Sequence, residues 1–152
     1  MKKLEKATYT PFYKNMKLTW DINTPVWYPL AATNREDILA FDFNEDPAAK
    51  EIFLKKLKQV LSTYRTEHLY QLGEAELGFT PYKLTLNELH ISAHHIIEDT
   101  FWCDQSLEWI IYACHDGYIT SGGNQLLNEL KEIWTEWNKY TVDQGRDENE
   151  AE

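Results

Sequence analysis

Residues 108–130 read EWIIYACHDGYITSGGNQLLNEL, and this stretch decides the fold. Its first part, residues 108–114, is a continuous apolar run rich in β-branched and aromatic side chains, which predicts a central strand. The Asp-Gly dipeptide at 116–117 is typical of a two-residue type I′ turn, and YITS follows it as a returning strand. The stretch therefore predicts a β-hairpin in which Cys114 lies opposite Ile119.

The same stretch has a second interpretation, as a catalytic His-Asp pair followed by a phosphate-binding glycine loop. Neighbouring residues at a strand end point in different directions, so His115 and Asp116 do not form an acid–base pair without a distorted backbone. A phosphate loop also carries a basic residue near its glycines, and here none occurs before Lys131. We therefore interpret 115–123 as structural, with His115 facing Tyr118 across the turn.

Two amphipathic helices flank the strand-rich part of the chain. The first is predicted at 47–64, because Asp46 can cap it, Pro47 suits its first position, and apolar residues then recur every three or four positions. The second is predicted at 124–140, with Asn124 as its cap. The lysines of the first helix fall mostly off its apolar stripe, which indicates that this helix packs on a sheet.

Strands are predicted between and before these helices. Residues 37–43 alternate between apolar and polar positions, and 67–75 and 82–92 also read as extended segments. Because strands cluster between the two helices instead of alternating with them, the sequence predicts an α+β fold. We expect a mostly antiparallel sheet of five to seven strands with both helices on one face.

The domain organisation follows from composition. Residues 1–17 read as a polar basic arm, 18–140 as a single α+β domain, and 141–152 as an acidic disordered tail poor in apolar residues. The net charge is −10, and residues 1–20 carry +4, which leaves −14 on the remainder. This acidity disfavours nucleic-acid binding and would suit a basic protein partner.

Several other classes are disfavoured by the sequence. It has no apolar run of membrane-spanning length and no apolar stretch behind its first lysines, so we expect neither a membrane protein nor an exported one. The two cysteines, Cys103 and Cys114, form no CxxC motif and lack a neighbouring base, so they read as reduced, buried residues of a cytoplasmic protein. We expect no cofactor.

A partner-binding surface is predicted around Trp102, which stands in the sequence among carboxylates. An exposed aromatic ring within an acidic rim can anchor a basic partner while the carboxylates steer its approach. The alternative is that Trp102 covers the edge of the core. The residues predicted to bind a partner are Trp102, Asp104, Asp116, Tyr118, Glu98 and Asp99.

A metal site is the competing prediction for HISAHHIIED. On a helix, His90, His94 and Glu98 would face one way, and His95 or Asp99 could complete a zinc site. The preceding residues read as extended, however, and a strand spreads these side chains too far apart for one metal ion. We therefore assign no metal ligand, and a metal-dependent hydrolase using the 90–99 cluster remains the alternative function.

The stretch from Trp109 to Trp137 resembles a segment of small uncharacterised bacterial cytosolic proteins, some of which serve as immunity proteins against toxins delivered between bacteria. The resemblance covers a strand, a hairpin, Gly-Gly and a tryptophan-bearing helix, and it carries over no functional residue. It implies a small intracellular α+β protein that acts by binding. We accordingly expect a non-enzymatic, immunity-like inhibitor whose acidic and aromatic loops occlude a basic toxin or enzyme surface. A structural subunit with an aromatic oligomer interface is a third possibility.

Overall fold

The computed structural model describes residues 1–22, 35–73, 80–91, 99–114 and 117–142. These ranges contain three α-helices, at Lys6–Thr19 (α1), Pro47–Leu61 (α2) and Asn124–Ile133 (α3). They also contain eight strands: Lys2–Lys3 (β1), Ile38–Asp42 (β2), Leu69–Gly73 (β3), Tyr82–Leu84 (β4), Thr100–Cys103 (β5), Ile110–Ala113 (β6), Tyr118–Gly122 (β7) and Thr141–Val142 (β8). Short 3₁₀ turns lie at Ser62–Tyr64, Leu86–Glu88 and Trp137–Lys139.

The eight described strands form one antiparallel sheet in the order β1-β4-β3-β5-β6-β7-β2-β8. The predicted α+β class is confirmed, and so is the central position of the strand in 108–114, which lies between β5 and β7. The sheet exceeds the expected five to seven strands. Its outermost strands, β1 and β8, have two residues each, and so short a strand leaves no hydrophobic alternation for a sequence pattern to show.

Helices cover both faces of the sheet. Both α2 and α3 pack on one face, as expected, and the residues of β2 divide between the faces as their alternation predicts. Leu39, Phe41 and Phe43 belong to the core under α2 and α3, whereas Ile38 belongs to the core on the opposite face. That second core contains Tyr9, Met16 and Trp20 from α1 and its C-terminal end, together with Leu72, Phe101, Ile110 and Tyr112 from the sheet.

The predicted basic arm is corrected by α1, which occupies most of it. Tyr9, Met16 and Trp20 are buried, and their spacing is close to one or two helical turns. Lysines on the solvent side and Pro11 within the second turn conceal this periodicity in the sequence. The segment is therefore a packed helix, and it completes the second core.

The predicted tail is also shorter than expected at its start. Thr141 and Val142 form β8, which pairs with Phe41 and Ala40 of β2. The rest of the predicted disordered tail, residues 143–152, lies outside the described residues. The α+β domain therefore extends at least to Val142.

Both predicted helices are shorter than their apolar patterns. Helix α2 ends at Leu61 and continues to Tyr64 as a 3₁₀ turn. Helix α3 ends at Ile133 instead of residue 140, because Trp134 leaves the helical region with φ −122° and ψ 84°. The chain then folds back so that the rings of Trp134 and Tyr140 stack 5.8 Å apart. The cap of α3 is Gly123 and not Asn124.

The extended segment predicted at 82–92 is interrupted. Strand β4 ends at Leu84, and a 3₁₀ turn begins with a capping box in which the Thr85 backbone N–H donates to the Glu88 carboxylate at 2.8 Å. After this turn, His90 and Ile91 lie beside α2. Residues 74 and 75 of the predicted strand 67–75 lie outside the described residues.

Candidate partner-binding surface

One end of the sheet brings together carboxylates from separate parts of the sequence. Asp42 ends β2 opposite Tyr118, and Asp99 precedes Thr100, the first residue of β5. Because β5, β6, β7 and β2 are successive neighbours about 4.8 Å apart, these two positions are separated by about 14 Å. We call Asp42, Glu45, Asp46 and Asp99 the acidic end.

The β6–β7 hairpin lies at this same end, and its register differs from the prediction. Ala113 pairs with Ile119, so Cys114 lies opposite Tyr118 instead of Ile119, and three residues connect the strands. The Cys114 N–H donates to the Tyr118 carbonyl, and the Gly117 N–H donates to the Cys114 carbonyl, both at 3.1 Å. Gly117 has φ +88°, which suits the last position of a three-residue hairpin loop. His115 and Asp116 lie outside the described residues.

The turn between β2 and α2 packs against this hairpin. A Cβ atom on Gly117 would lie 2.1 Å from the Asn44 side-chain oxygen, so the side chain occupies the space that a larger residue would need. The Asn44 N–H donates to the Asp42 carboxylate at 2.9 Å. These contacts hold the turn and the hairpin together as one surface.

Asp46 has a structural role within the acidic end. One carboxylate oxygen accepts from the Ala49 N–H at 3.2 Å and caps α2, and the other accepts from the Tyr140 hydroxyl at 2.9 Å. The hydrogen bond to Asp46 raises the pKa of Tyr140 above its ordinary value. Glu45, in contrast, is an exposed residue in the same turn.

The prediction that Trp102 is an exposed aromatic anchor is wrong. Trp102 lies within β5, is 2% exposed and belongs to the core under α2 and α3. Its indole N–H donates to the Gln71 side-chain oxygen at 3.1 Å, so its polar atom is satisfied inside the fold. The alternative, in which Trp102 covers the edge of the core, is closer to the structure, although Trp102 lies within that core. Trp102 is buried because β5 is a central strand and this side chain lies on the face covered by α2 and α3.

Asp104 is likewise inaccessible to a partner, since it is 5% exposed. Its carboxylate accepts hydrogen bonds from the Trp109 indole at 2.8 Å, from the Thr66 hydroxyl at 2.8 Å, and from Ser106. Asp104 follows β5 whereas Asp99 precedes it, so the two lie at opposite ends of the sheet, about 16 Å apart along an extended strand. The predicted six-residue set is therefore split.

Two members of the predicted set do lie together. Asp99 and Tyr118 are half-buried and both border the acidic end. Glu98 and Asp116 lie outside the described residues. In the sequence, Glu98 directly precedes Asp99, and Asp116 directly precedes Gly117. Both cysteines are buried thiols outside any disulfide, as predicted.

The described residues are much less acidic than the chain as a whole. The described residues contain 14 lysines and arginines and 16 aspartates and glutamates, a net charge of −2. The remaining residues carry the other −8. The seven lysines of α1 and α2 offset nearly half of the described carboxylates, so the described fold carries local acidic groups instead of a uniformly acidic body.

A basic cavity beside α2 is a feature that sequence analysis missed. It is lined by Lys50, Glu51, Leu54, Lys55, Lys58, His90 and Ile91. The available signal was the group of lysines lying off the apolar stripe of the helix. The sequence alone does not show that His90 lies beside these lysines, because His90 comes from the connection between β4 and β5.

The histidine cluster proposed for a metal is only partly described. His90 is exposed at the cavity, whereas His94, His95 and Glu98 lie outside the described residues. Among the side chains that the structure does describe, no three His, Cys, Asp or Glu residues are placed to hold a metal ion together. The metal-dependent alternative thus remains a prediction.

Comparisons of the chain with protein families, curated proteins and solved structures found no match. The resemblance of 109–137 to immunity-like bacterial proteins therefore remains a prediction. Within the described parts of the chain, no helix combines the length and hydropathy that crossing a membrane requires.

Proposed function

We propose that this protein is a non-enzymatic binding protein whose acidic end engages a basic protein partner. The observation that carries the proposal is the convergence of Asp42, Glu45 and Asp99 at one end of the sheet, within the width of an ordinary protein interface. Half-buried Tyr118 and Tyr140 border the same end. Tyrosines of this kind supply contact area, and nearby carboxylates guide a cationic surface towards them.

An immunity-like mechanism is the form of binding that we favour. In it, the acidic end covers the cationic active-site surface of a toxin or enzyme and so blocks access to its substrate. Occlusion requires the inhibitor to match its target in shape and charge, and it requires no catalytic chemistry from the inhibitor. The two buried thiols, neither of them in a disulfide, support a reducing, cytoplasmic location for the proposed bacterial protein.

The proposal is tested with two matched double variants. Glu45→Gln with Asp99→Asn neutralises the acidic end, and Glu67→Gln with Glu132→Gln removes the same charge from exposed positions elsewhere. Each protein is immobilised and exposed at low ionic strength to extract from its source cells. A retained protein is identified and purified, and its binding kinetics are measured at several salt concentrations.

The partner should be basic, and its association rate should fall steeply with salt, because exposed charges mainly steer encounter. Each rim charge contributes about 0.2–1 kcal/mol, so the acidic-end variant should bind about two- to thirtyfold more weakly, mainly through slower association. The control variant should bind like the original protein. An equal loss in both variants, or a partner whose association ignores salt, contradicts the proposal.

A further inference from the structure

The basic cavity has a size and position suited to a small ligand. Its volume is about 390 Å³, within the range of small-molecule sites. One wall is α2, and the other is the connection that runs from the 3₁₀ turn at Leu86–Glu88 to Ile91. The Lys58 ammonium reaches the Asn87 carbonyl at 3.5 Å, which joins the two walls at one side.

The charge of the lining is strongly positive for so small a space. Lys50, Lys55 and Lys58 contribute three ammonium groups, His90 contributes an imidazole, and Glu51 contributes one carboxylate. With the histidine neutral, the lining carries a net charge of +2. This concentration is opposite in sign to the protein as a whole, which has a net charge of −10. A cavity with this potential attracts anions.

Lys50 distinguishes the cavity from an ordinary surface group of lysines. It is 8% exposed, although a lysine on a helix can usually extend its ammonium into water. Burial lowers the pKa of Lys50 by desolvation, while the neighbouring Cys114 acts in the opposite direction. A buried ammonium has already lost much of its hydration, so an anion that meets it displaces little further water.

The apolar lining restricts the kind of anion. Leu54 and Ile91 form part of the wall, and Ile91 is 4% exposed. These side chains suit a carbon skeleton, whereas a bare inorganic ion would leave them without contact. Lysine is a frequent phosphate ligand that acts as a point charge, and the net charge of +2 on the lining matches the charge of about −2 on a phosphate monoester at neutral pH.

We propose that the cavity binds a small organic phosphate, with the phosphate at Lys50, Lys55 and Lys58 and the carbon skeleton against Leu54 and Ile91. His90 stands at the exposed side and donates a hydrogen bond to a phosphate oxygen or to the ester oxygen. This inference does not depend on the acidic end, because it concerns a small molecule held by residues of α2 and the β4–β5 connection.

Phenyl phosphate is the probe that combines both features, and titration calorimetry in chloride-poor buffer measures its binding to the full chain. Inorganic phosphate tests the charge alone, phenol tests the ring alone, and benzoate tests a carboxylate on the same ring. We expect saturable one-to-one binding of phenyl phosphate, at least fivefold weaker binding of inorganic phosphate and of benzoate, and no binding of phenol.

Three substitutions on the same helix locate the site. Lys50→Met keeps the size of the side chain and removes the buried charge, and Lys55→Gln removes an exposed charge from the lining. Each should weaken phenyl phosphate at least tenfold, the usual loss for a hydrogen bond to a charged group. Lys56→Gln makes the same charge change outside the cavity and should leave binding within twofold.

Three outcomes overturn the inference. The first is the absence of saturable binding up to about 100-fold above a typical micromolar ligand affinity. The second is equal loss in the Lys55→Gln and Lys56→Gln proteins, which would indicate attraction to the helix charge alone. The third is benzoate binding as tightly as phenyl phosphate, which would exclude a phosphate-selective site. Circular dichroism of each variant confirms that the fold is retained, and Lys55→Gln, at an exposed position, keeps the test valid if Lys50→Met unfolds.

Discussion

Replacing Asp104 with alanine should destabilise the fold strongly, although Asp104 looks like a surface carboxylate in the sequence. Its oxygens are the acceptors for four donors: the Trp109 indole, the Thr66 hydroxyl, and the backbone and side chain of Ser106. Trp109 is 1% exposed, so water cannot replace the lost acceptor for its N–H. Ser106 is exposed, and water compensates there.

The loss can be summed from these contacts. An unsatisfied buried indole N–H costs about 1–3 kcal/mol, and the half-buried Thr66 hydroxyl adds about 1 kcal/mol. The partly hydrated Ser106 contacts add about 0.5–1 kcal/mol. We therefore expect Asp104→Ala to lower the free energy of unfolding by about 4 kcal/mol, a large part of the 5–15 kcal/mol typical of a domain. Asp104→Asn should lose about 2 kcal/mol, since its amide NH₂ must face either Trp109 or Ser106 donors.

Urea denaturation followed by tryptophan fluorescence measures both values. With a slope of about 2 kcal/mol per molar urea, the midpoint should fall by about 2 M for alanine and about 1 M for asparagine. Glu108→Gln, an exposed carboxylate four residues further along the chain, is the control and should change stability by less than about 0.5 kcal/mol. A loss below about 1 kcal/mol for Asp104→Ala would refute the assignment of Asp104 as a structural acceptor and return it to the candidate binding surface.

Two further substitutions probe other parts of the fold. Lys50→Met should raise the free energy of unfolding at neutral pH, because the folded-state pKa of Lys50 lies below its ordinary 10.5. Between these two pKa values the unfolded chain binds more protons than the folded chain. The stability of the original protein therefore rises with pH in that range. The advantage of the variant in urea melts should therefore shrink as pH approaches 10.5, and a variant less stable at pH 7 would contradict this. Gly123→Ala should cost about 3 kcal/mol, because Gly123 has φ +121° and an added Cβ would lie 2.6 Å from the Glu108 carbonyl oxygen. Gln125→Ala, exposed on α3, is its control, and a thermal midpoint for Gly123→Ala as high as that of the control would contradict the clash.

The parts of the fold that sequence predicted are those where one local pattern suffices. The apolar run of β6, the alternation of β2 and the stripe of α2 each report burial directly, because side-chain direction follows from the backbone period. The hairpin itself was predictable from Asp-Gly, but its register was not. A two-residue and a three-residue loop both accept glycine, and the choice depends on the contact between Gly117 and Asn44, which are 73 positions apart in the sequence.

The candidate site was harder to predict, since exposure is a tertiary property. Trp102 and Asp104 have acidic and polar neighbours in the sequence, yet both are buried because β5 is a central strand with cores on both sides. The acidic end could be predicted only in part. Asp99 and Tyr118 were identified, whereas Asp42 and Glu45 join them only through the pairing of β2 with β7.

The contact made by Gly122 shows why the sequence did not predict α1. The interpretation of Gly122 and Gly123 as a passage from strand to helix holds for Gly123, which caps α3, but Gly122 has a second reason to lack a side chain. A Cβ there would lie 2.8 Å from the ring of Trp20, which follows α1 and is fully buried. The glycine is thus half of a contact whose other half lies about 100 positions away, just beyond the segment that reads as a polar arm.

A second contact to the Trp20 ring comes from Arg35. The Arg35 guanidinium lies 3.8 Å from the ring centroid and forms two hydrogen bonds of 2.8 Å with the Asp37 carboxylate. Arg35 lowers the pKa of Asp37, and the backbone N–H of Asn124 at the start of α3 acts in the same direction. Arg35, together with Asp37, therefore connects the end of α1 to the start of α3. Gly122, Trp20 and the Arg35–Asp37 ion pair come from three distant segments of the chain. The packing of α1 on the sheet therefore becomes apparent only when all three are considered together.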